Sequence, residues 1–195
     1  MNQTIGIKVI PLTILNGKLI TFVYNGRTPS RIWEKNVTLE ATTAQIIQTI
    51  VGLDPGDGYI EQLYTISRPQ ERDFDIAIVY YFLVAQAHIV SPEGWTERVH
   101  ALDHPLISYA TQRLRWKIEY TNVVYSLLPN EFVLGELQRV YEAILGRTLD
   151  KRNFRKKILS LRMLDDTGKK RSQGRSRPAE VYRFKTRKPT IVEVL

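Results

Sequence analysis

Between Glu136 and Leu161 the chain carries two amphipathic helices separated by one glycine and one helix cap, and that pattern leaves few folds open. Leu137, Val140, Tyr141 and Ile144 recur at i, i+3, i+4 and i+7, the single apolar stripe of a helix docked on a core. Gly146 is a good C-terminal stop. Asp150 is a favourable N-cap for the next helix, whose Phe154, Ile158 and Leu161 mark an inner face. Arg152, Arg155 and Lys156 fall on its other side. Two short strands follow, at Met163-Leu164 and at Val181-Tyr182-Arg183-Phe184. The connection between them is long, polar and rich in Gly, Ser, Lys and Arg. Helix, turn, helix and basic hairpin is the order of a winged helix-turn-helix.

Upstream, a helix is expected from about Ile107 to Tyr120, broken near Thr121, with Pro129-Asn130 ending its continuation. The first half reads as strands and loops. Ile5 to Ile10 and Leu19 to Tyr24 are apolar and β-branched, and Asn16-Gly17 between them signals a hairpin. Thr38 to Val51 predicts a helix, while Tyr59 to Ser67 and Ile76 to Ala85 predict strands. The last of these is the longest apolar run, too short for a membrane span of roughly 20 residues. Pro92, Gly94 and Pro105 place a boundary between residues 91 and 105. The expected domains are 1–104 and 105–195.

Charge divides the chain at the same place. Residues 1–104 hold 8 Lys+Arg against 11 Asp+Glu; residues 105–195 hold 20 against 9. Such asymmetry implies a polyanion partner for the second half, and nucleic acid is the commonest soluble polyanion. An acidic membrane surface fits less well, because the basic half leaves no apolar face for lipid. The absence of cysteine excludes disulfides, thiolate metal sites and cysteine nucleophiles, and suits a cytoplasmic location. Met1 to Lys8 lack the basic start and apolar stretch of a targeting segment.

The major groove of DNA admits one α-helix, and a reading helix needs donors opposite its apolar side. Arg152 and Arg155 are the candidates for guanine edges, because a guanidinium pairs bidentately with that base. Lys151, Lys156 and Lys157 suit phosphate contact; Asn153 suits either adenine or a local hydrogen bond. A solvated basic face is the alternative to this reading. The hairpin weighs against it: Lys169, Lys170, Arg171, Arg175 and Arg177 are expected together at its tip, within reach of the backbone or an adjacent minor groove.

Leu127-Leu128-Pro129, Phe132, Glu136 to Gly146 (ELQRVYEAILG) and Leu149 to Phe154 (LDKRNF) resemble the Nudix-related transcriptional regulators, the NrtR family. Gly174-Arg175, Arg177-Pro178-Ala179 and Tyr182-Arg183-Phe184 resemble that family's wing. Leu102-Asp103-His104, Leu114-Arg115 and Glu119-Tyr120-Thr121 match the segment joining its two domains. The resemblance is close over roughly residues 95–185 and weaker before, where Glu61 to Thr65 leads into a strand as in the family. It implies an α+β chain: a Nudix-like α/β sandwich followed by a winged helix-turn-helix. It further implies a bacterial, homodimeric repressor of NAD-related genes that binds a double-stranded DNA operator. Its first domain would sense a small effector, ADP-ribose or another nucleotide or sugar metabolite. Arg27, Arg31, Arg68 and Arg72 are the candidate partners for the effector's phosphates.

A Nudix hydrolase needs several helix glutamates to hold Mg²⁺. The equivalent segment here is Gln45 to Leu53, with Ile46, Thr49 and Ile50 where carboxylates belong and only Glu40 nearby. No enzyme activity is therefore expected; a nucleotide-diphosphate (ADP-ribose) hydrolase with an unusual metal site is the alternative, and an RNA-binding or structural module a third. His100 and His104 have zinc-like spacing, but Pro105 disfavours helical geometry at His104 and an ordered junction is the competing reading. Glu71, Asp73 and Asp75 read as a solvated loop rather than a cation site. Trp33, Trp95 and Trp116 are read as core or dimer packing rather than base-stacking platforms.

Overall fold

A computed structural model describes residues 3–67, 74–98, 103–172, 178–192 and 194 of the 195. The first half forms one mixed sheet from β1 (Ile5–Leu15), β2 (Lys18–Phe22), β3 (Ser30–Ile32), β4 (Gly58–Ser67), β5 (Ile76–Val84) and β6 (Trp95–Thr96). Its order is β4-β5-β1-β2-β6, with β3 also on β1. The β1–β2 hairpin closes at Asn16-Gly17, with φ of 51° and 76°. Positive φ at both central residues matches the twist of the flanking strands, which is why this dipeptide marks hairpins.

β1 and β5 run parallel through the middle, and both their faces are covered. Ile7, Val9, Tyr80, Phe82 and Val84 pack against Ile46 and Ile47 from the helix α1 (Leu39–Ile46) and the π-turn that prolongs it to Val51. Thr38 caps α1 by accepting the Ala41 N–H. The opposite face, Ile10, Leu12, Val79, Tyr81 and Leu83, packs on α2 (His104–Tyr120) through Leu106, Ala110, Leu114 and Ile118. Helices on both faces of the sheet make the α/β sandwich. α2 begins three residues before the expected Ile107. His104 is its first residue in spite of Pro105, because a proline in the first turn removes an N–H that has no intrahelical partner.

A 3₁₀ turn, Val123–Leu127, leads to β7 (Phe132–Val133), α3 (Leu134–Leu145), α4 (Lys151–Ser160), β8 (Leu164–Arg171) and β9 (Ala179–Phe184). The strands form a small sheet of order β7-β9-β8, the winged-helix arrangement. Gly146 ends α3 at φ 68°, a conformation that favours glycine. β8 corrects one expectation: it runs eight residues where two were foreseen, so Lys169, Lys170 and Arg171 lie in the strand and not at the hairpin tip. The sheet, α2 and the winged helix share one core, from Ile10 and Leu12 through Leu114 to Leu137, Tyr141 and Ile158. The chain end secures this joint. Arg187 donates to the carbonyls of Tyr125 and Leu128 at 2.6 and 2.9 Å, and Val194 is buried in the same core.

Candidate nucleic-acid interface

α4 is built as a helix with one dry and one wet side. Asp150 Oδ1 accepts the Asn153 N–H at 2.8 Å and fixes its start. Phe154 and Ile158 are buried, Phe154 edge-on to Tyr141 with centroids 5.4 Å apart. Lys151, Arg152, Asn153, Arg155, Lys156 and Lys157 are all exposed. They divide by helical position. Lys151 and Arg155 face a groove of about 530 Å³ between the start of α3, α4 and the wing, lined also by Gly135, Lys170, Glu180 and Tyr182. Asn153 and Lys157 lie on the opposite flank beside Val194. Arg152 and Lys156, four residues apart, occupy the ridge between the flanks.

The wing's cations are not equivalent. Lys169 Nζ donates to Glu131 at 2.8 Å, and Arg171 reaches Glu136 at 3.0 Å and the Glu131 carbonyl at 2.9 Å. Glu136 also accepts the Val133 N–H, closing the first turn of α3. Half-buried Arg171 therefore fastens the wing to the helix-turn-helix, Lys169 adds an exposed ion pair beside it, and Lys170 lines the groove. Arg175 and Arg177 lie outside the described residues. Arg155 is joined to the wing as well: its Nη2 donates to Glu180 Oε2 at 3.0 Å, and the Tyr182 hydroxyl donates to the same oxygen at 2.7 Å. Those two hydrogen bonds, Tyr182's foremost, hold the Glu180 carboxyl below its ordinary pKa. Burial raises that of Tyr182.

Of the four candidate effector arginines, Arg27 and Arg31 lie among the described residues, each with a side-chain partner. Arg27 Nε donates to Asp103 Oδ2 at 3.0 Å, and Lys8 Nζ lies 3.7 Å from Oδ1 of the same carboxylate. Asp103 is fully buried, and a buried carboxylate requires cationic partners. Arg31 donates to Thr49 on the other face, beside α1. Arg68, Arg72, Glu71, Asp73 and His100 lie outside the described residues. Asp75 accepts the Thr4 N–H at 2.7 Å, which ties down the start of β1. Glu40, at the start of α1, is exposed, and among the described residues no three His, Asp or Glu side chains converge as a metal site needs. Trp33 donates to the Val37 carbonyl and Trp95 stacks edge-on to Phe22, both as packing residues; Trp116 is exposed on α2. Glu131, Glu136 and Glu180 went unforeseen. Only Glu136 has a local signal, three residues into a helix, and Val133 at the cap lacks the hydroxyl that usually announces it.

An α/β sandwich joined through a shared core to a winged helix-turn-helix is thus the class of this protein. Residues 124–184 match the NrtR DNA-binding winged helix domain. The chain is 31% identical over 166 residues to the ADPR responsive transcriptional repressor NtrR of Acinetobacter baylyi, a match that takes in 77% of this chain. It spans 65% of that relative's length. The crystal structure of Shewanella oneidensis NrtR complexed with a 27mer DNA superposes with TM-score 0.77 at 26% identity, covering 93% of each chain. A MutT/nudix family protein from Enterococcus faecalis shares the fold at TM-score 0.74 and 17% identity, over 95% of this chain and 89% of the other. The chain is accordingly similar to the NrtR regulators along nearly its whole length, and the resemblance drawn from the sequence holds in both halves. No helix among the described residues is long and apolar enough to cross a membrane.

Proposed function

We propose that this chain is a ligand-responsive, DNA-binding transcriptional repressor of the NrtR type. Residues 105–195 bind an operator, and residues 1–104 sense an effector of the ADP-ribose class. The observation that carries this reading is the exposed basic face of α4 beside the groove and wing, on a helix whose other side is locked into the core. Arg152 and Arg155 contact bases; Lys151, Lys156, Lys170 and the wing arginines Arg175 and Arg177 contact phosphates. Asn153 and Lys157 play a lesser part, since they lie on the flank beside Val194. A homodimer sets two α4 helices on successive major grooves of a pseudo-palindromic site. The relative that responds to ADPR supports an effector of that chemistry, and the single exposed carboxylate of α1 supports sensing without hydrolysis.

Binding of duplex DNA from the promoter of the protein's own operon tests this, with wild type set against Arg152→Ala/Arg155→Ala. The expected outcome is tight, sequence-selective binding that weakens by at least about 1–3 kcal/mol in the double variant and is relieved by ADP-ribose. Equal, weak binding by both proteins refutes it.

A further inference from the structure

The described lining of the groove beside α4 contains three cations, Lys151, Arg155 and Lys170, and one acid, Glu180. An acid is out of place on a surface that meets phosphates, since its charge opposes every duplex alike. Its surroundings are specific. Glu180 stands directly across the β8–β9 ladder from Lys170. One of its oxygens accepts from both the Tyr182 hydroxyl and the Arg155 guanidinium. Tyr182 is 6% exposed, so the hydroxyl that orients the carboxylate is itself fixed by packing. The chain of contacts runs from a buried wing residue, through Glu180, to the tip of a side chain on the reading helix.

Stability is a weak reason for this arrangement, because exposed ion pairs contribute little. Orientation is a stronger one. An arginine on a helix flank has many rotamers, and bidentate pairing with guanine N7 and O6 needs its planar fork held at one angle. Glu180 engages only Nη2, which leaves the remaining guanidinium donors for a base edge. We propose that Glu180 is a positioning residue for Arg155. It holds the guanidinium in the orientation that reads one guanine, and its charge lowers affinity for every duplex, a loss that only DNA carrying that base offsets. This rests on the reading of the groove as a DNA interface.

The test is selection of duplexes from a pool randomised over about two helical turns, performed with wild type, Glu180→Gln, Arg155→Ala and the double variant. Wild type is expected to enrich a guanine that Arg155→Ala no longer enriches. Glu180→Gln, which keeps the shape and an acceptor oxygen, should lower enrichment at that one position about tenfold and leave the others. The double variant should match Arg155→Ala. Glu180→Gln should also bind the unselected pool more tightly, with a salt slope steeper by about one. Tyr182→Phe, which removes only the orienting hydroxyl, should give a smaller loss at the same position; it serves as the test if Glu180→Gln fails to fold. Enrichment unchanged in Glu180→Gln, or reduced evenly at every position, overturns the proposal. So does wild-type enrichment that Arg155→Ala leaves intact, although DNA reading then stands. No enrichment by wild type defeats the reading of the groove itself, and the proposal with it.

Discussion

The two halves of the molecule use charge in opposite ways. Where the sheet of the first half meets α2, cations are drawn inward: Lys8 is 2% exposed against a fully buried Asp103, and Lys117 of α2 is 13% exposed against Glu61 at 2.7 Å. In the second, the cations of α4 stand exposed along one side. Burying an ion is costly unless a partner is fixed beside it, so a buried pair dictates geometry. Both pairs dictate the same thing. Asp103 immediately precedes α2 and Lys117 lies in its last turn, and each is bound by the sheet, through Lys8 on β1, Arg27 beyond β2 and Glu61 on β4. These acids and bases therefore bolt α2 to the sheet at both ends. α2 in turn shares its core with the winged helix. Inner charge sets how α4 is carried, and outer charge is what α4 presents to solvent.

The contrast is broken most directly at Asp103. Replacing it with alanine leaves Lys8 buried without its carboxylate, and removing one partner of a buried pair costs about 3–5 kcal/mol. Denaturant unfolding of Asp103→Ala should show a loss of that order. Arg152→Ala, on the exposed ridge, should leave the midpoint unchanged. A loss below about 1 kcal/mol at Asp103 would mean that the junction is solvated, and the distinction between the halves would fail.

A smaller effect is expected from pH, through the second bolt. Burial raises the Glu61 carboxyl, but hydrogen bonds from Lys117 and Tyr81 outweigh it and hold it below its ordinary value of 4.5. Burial lowers Lys117, and its contact with Glu61 outweighs that and raises it above 10.5. A lowered acid stabilises the fold above its unfolded pKa, and that contribution fades as pH falls through the folded value. A raised base stabilises below its unfolded pKa and loses the contribution as pH rises through the folded one. Stability should therefore be level between these limits, with an acid limb below about pH 4.5. Glu61→Gln should flatten that limb in urea titrations across pH; an unaltered limb would show that the pair does not act as a bolt.

What the sequence disclosed follows from the range of the forces involved. The Asn16-Gly17 hairpin, the stripe of α3, the Gly146 stop and the Asp150 cap are decided within a few residues, and all appear where local pattern places them. β8 was hidden because Asp165 to Arg171 are polar on both faces and carry no alternation; pairing with β9 makes them a strand. The exposed side of α4 was legible for the same local reason. Its governors were not: Arg155 meets Glu180 across 25 residues, Arg171 meets Glu136 across 35, and Arg27 meets Asp103 across 76. Arginine reads as a candidate for phosphate wherever it occurs, until the fold reveals which carboxylate has taken it.

The finest distinction lies between neighbours on one strand. Lys169 and Lys170 are adjacent cations of the wing, yet Lys169 is held by Glu131 while Lys170 faces the groove. Both members of the Lys169–Glu131 pair are well exposed, at 64% and 40%, so Lys169→Ala should cost no more than about 1 kcal/mol of stability. Its consequence for DNA should be small too, because a lysine already neutralised by a glutamate releases little counterion when it meets a phosphate. Lys170→Ala should reduce the slope of log affinity against log salt by about one. Salt titrations of both variants on the same duplex decide the matter. Equal slopes would place Lys169 on the DNA after all, with Glu131 giving way, and the inner use of charge would then stop short of the wing.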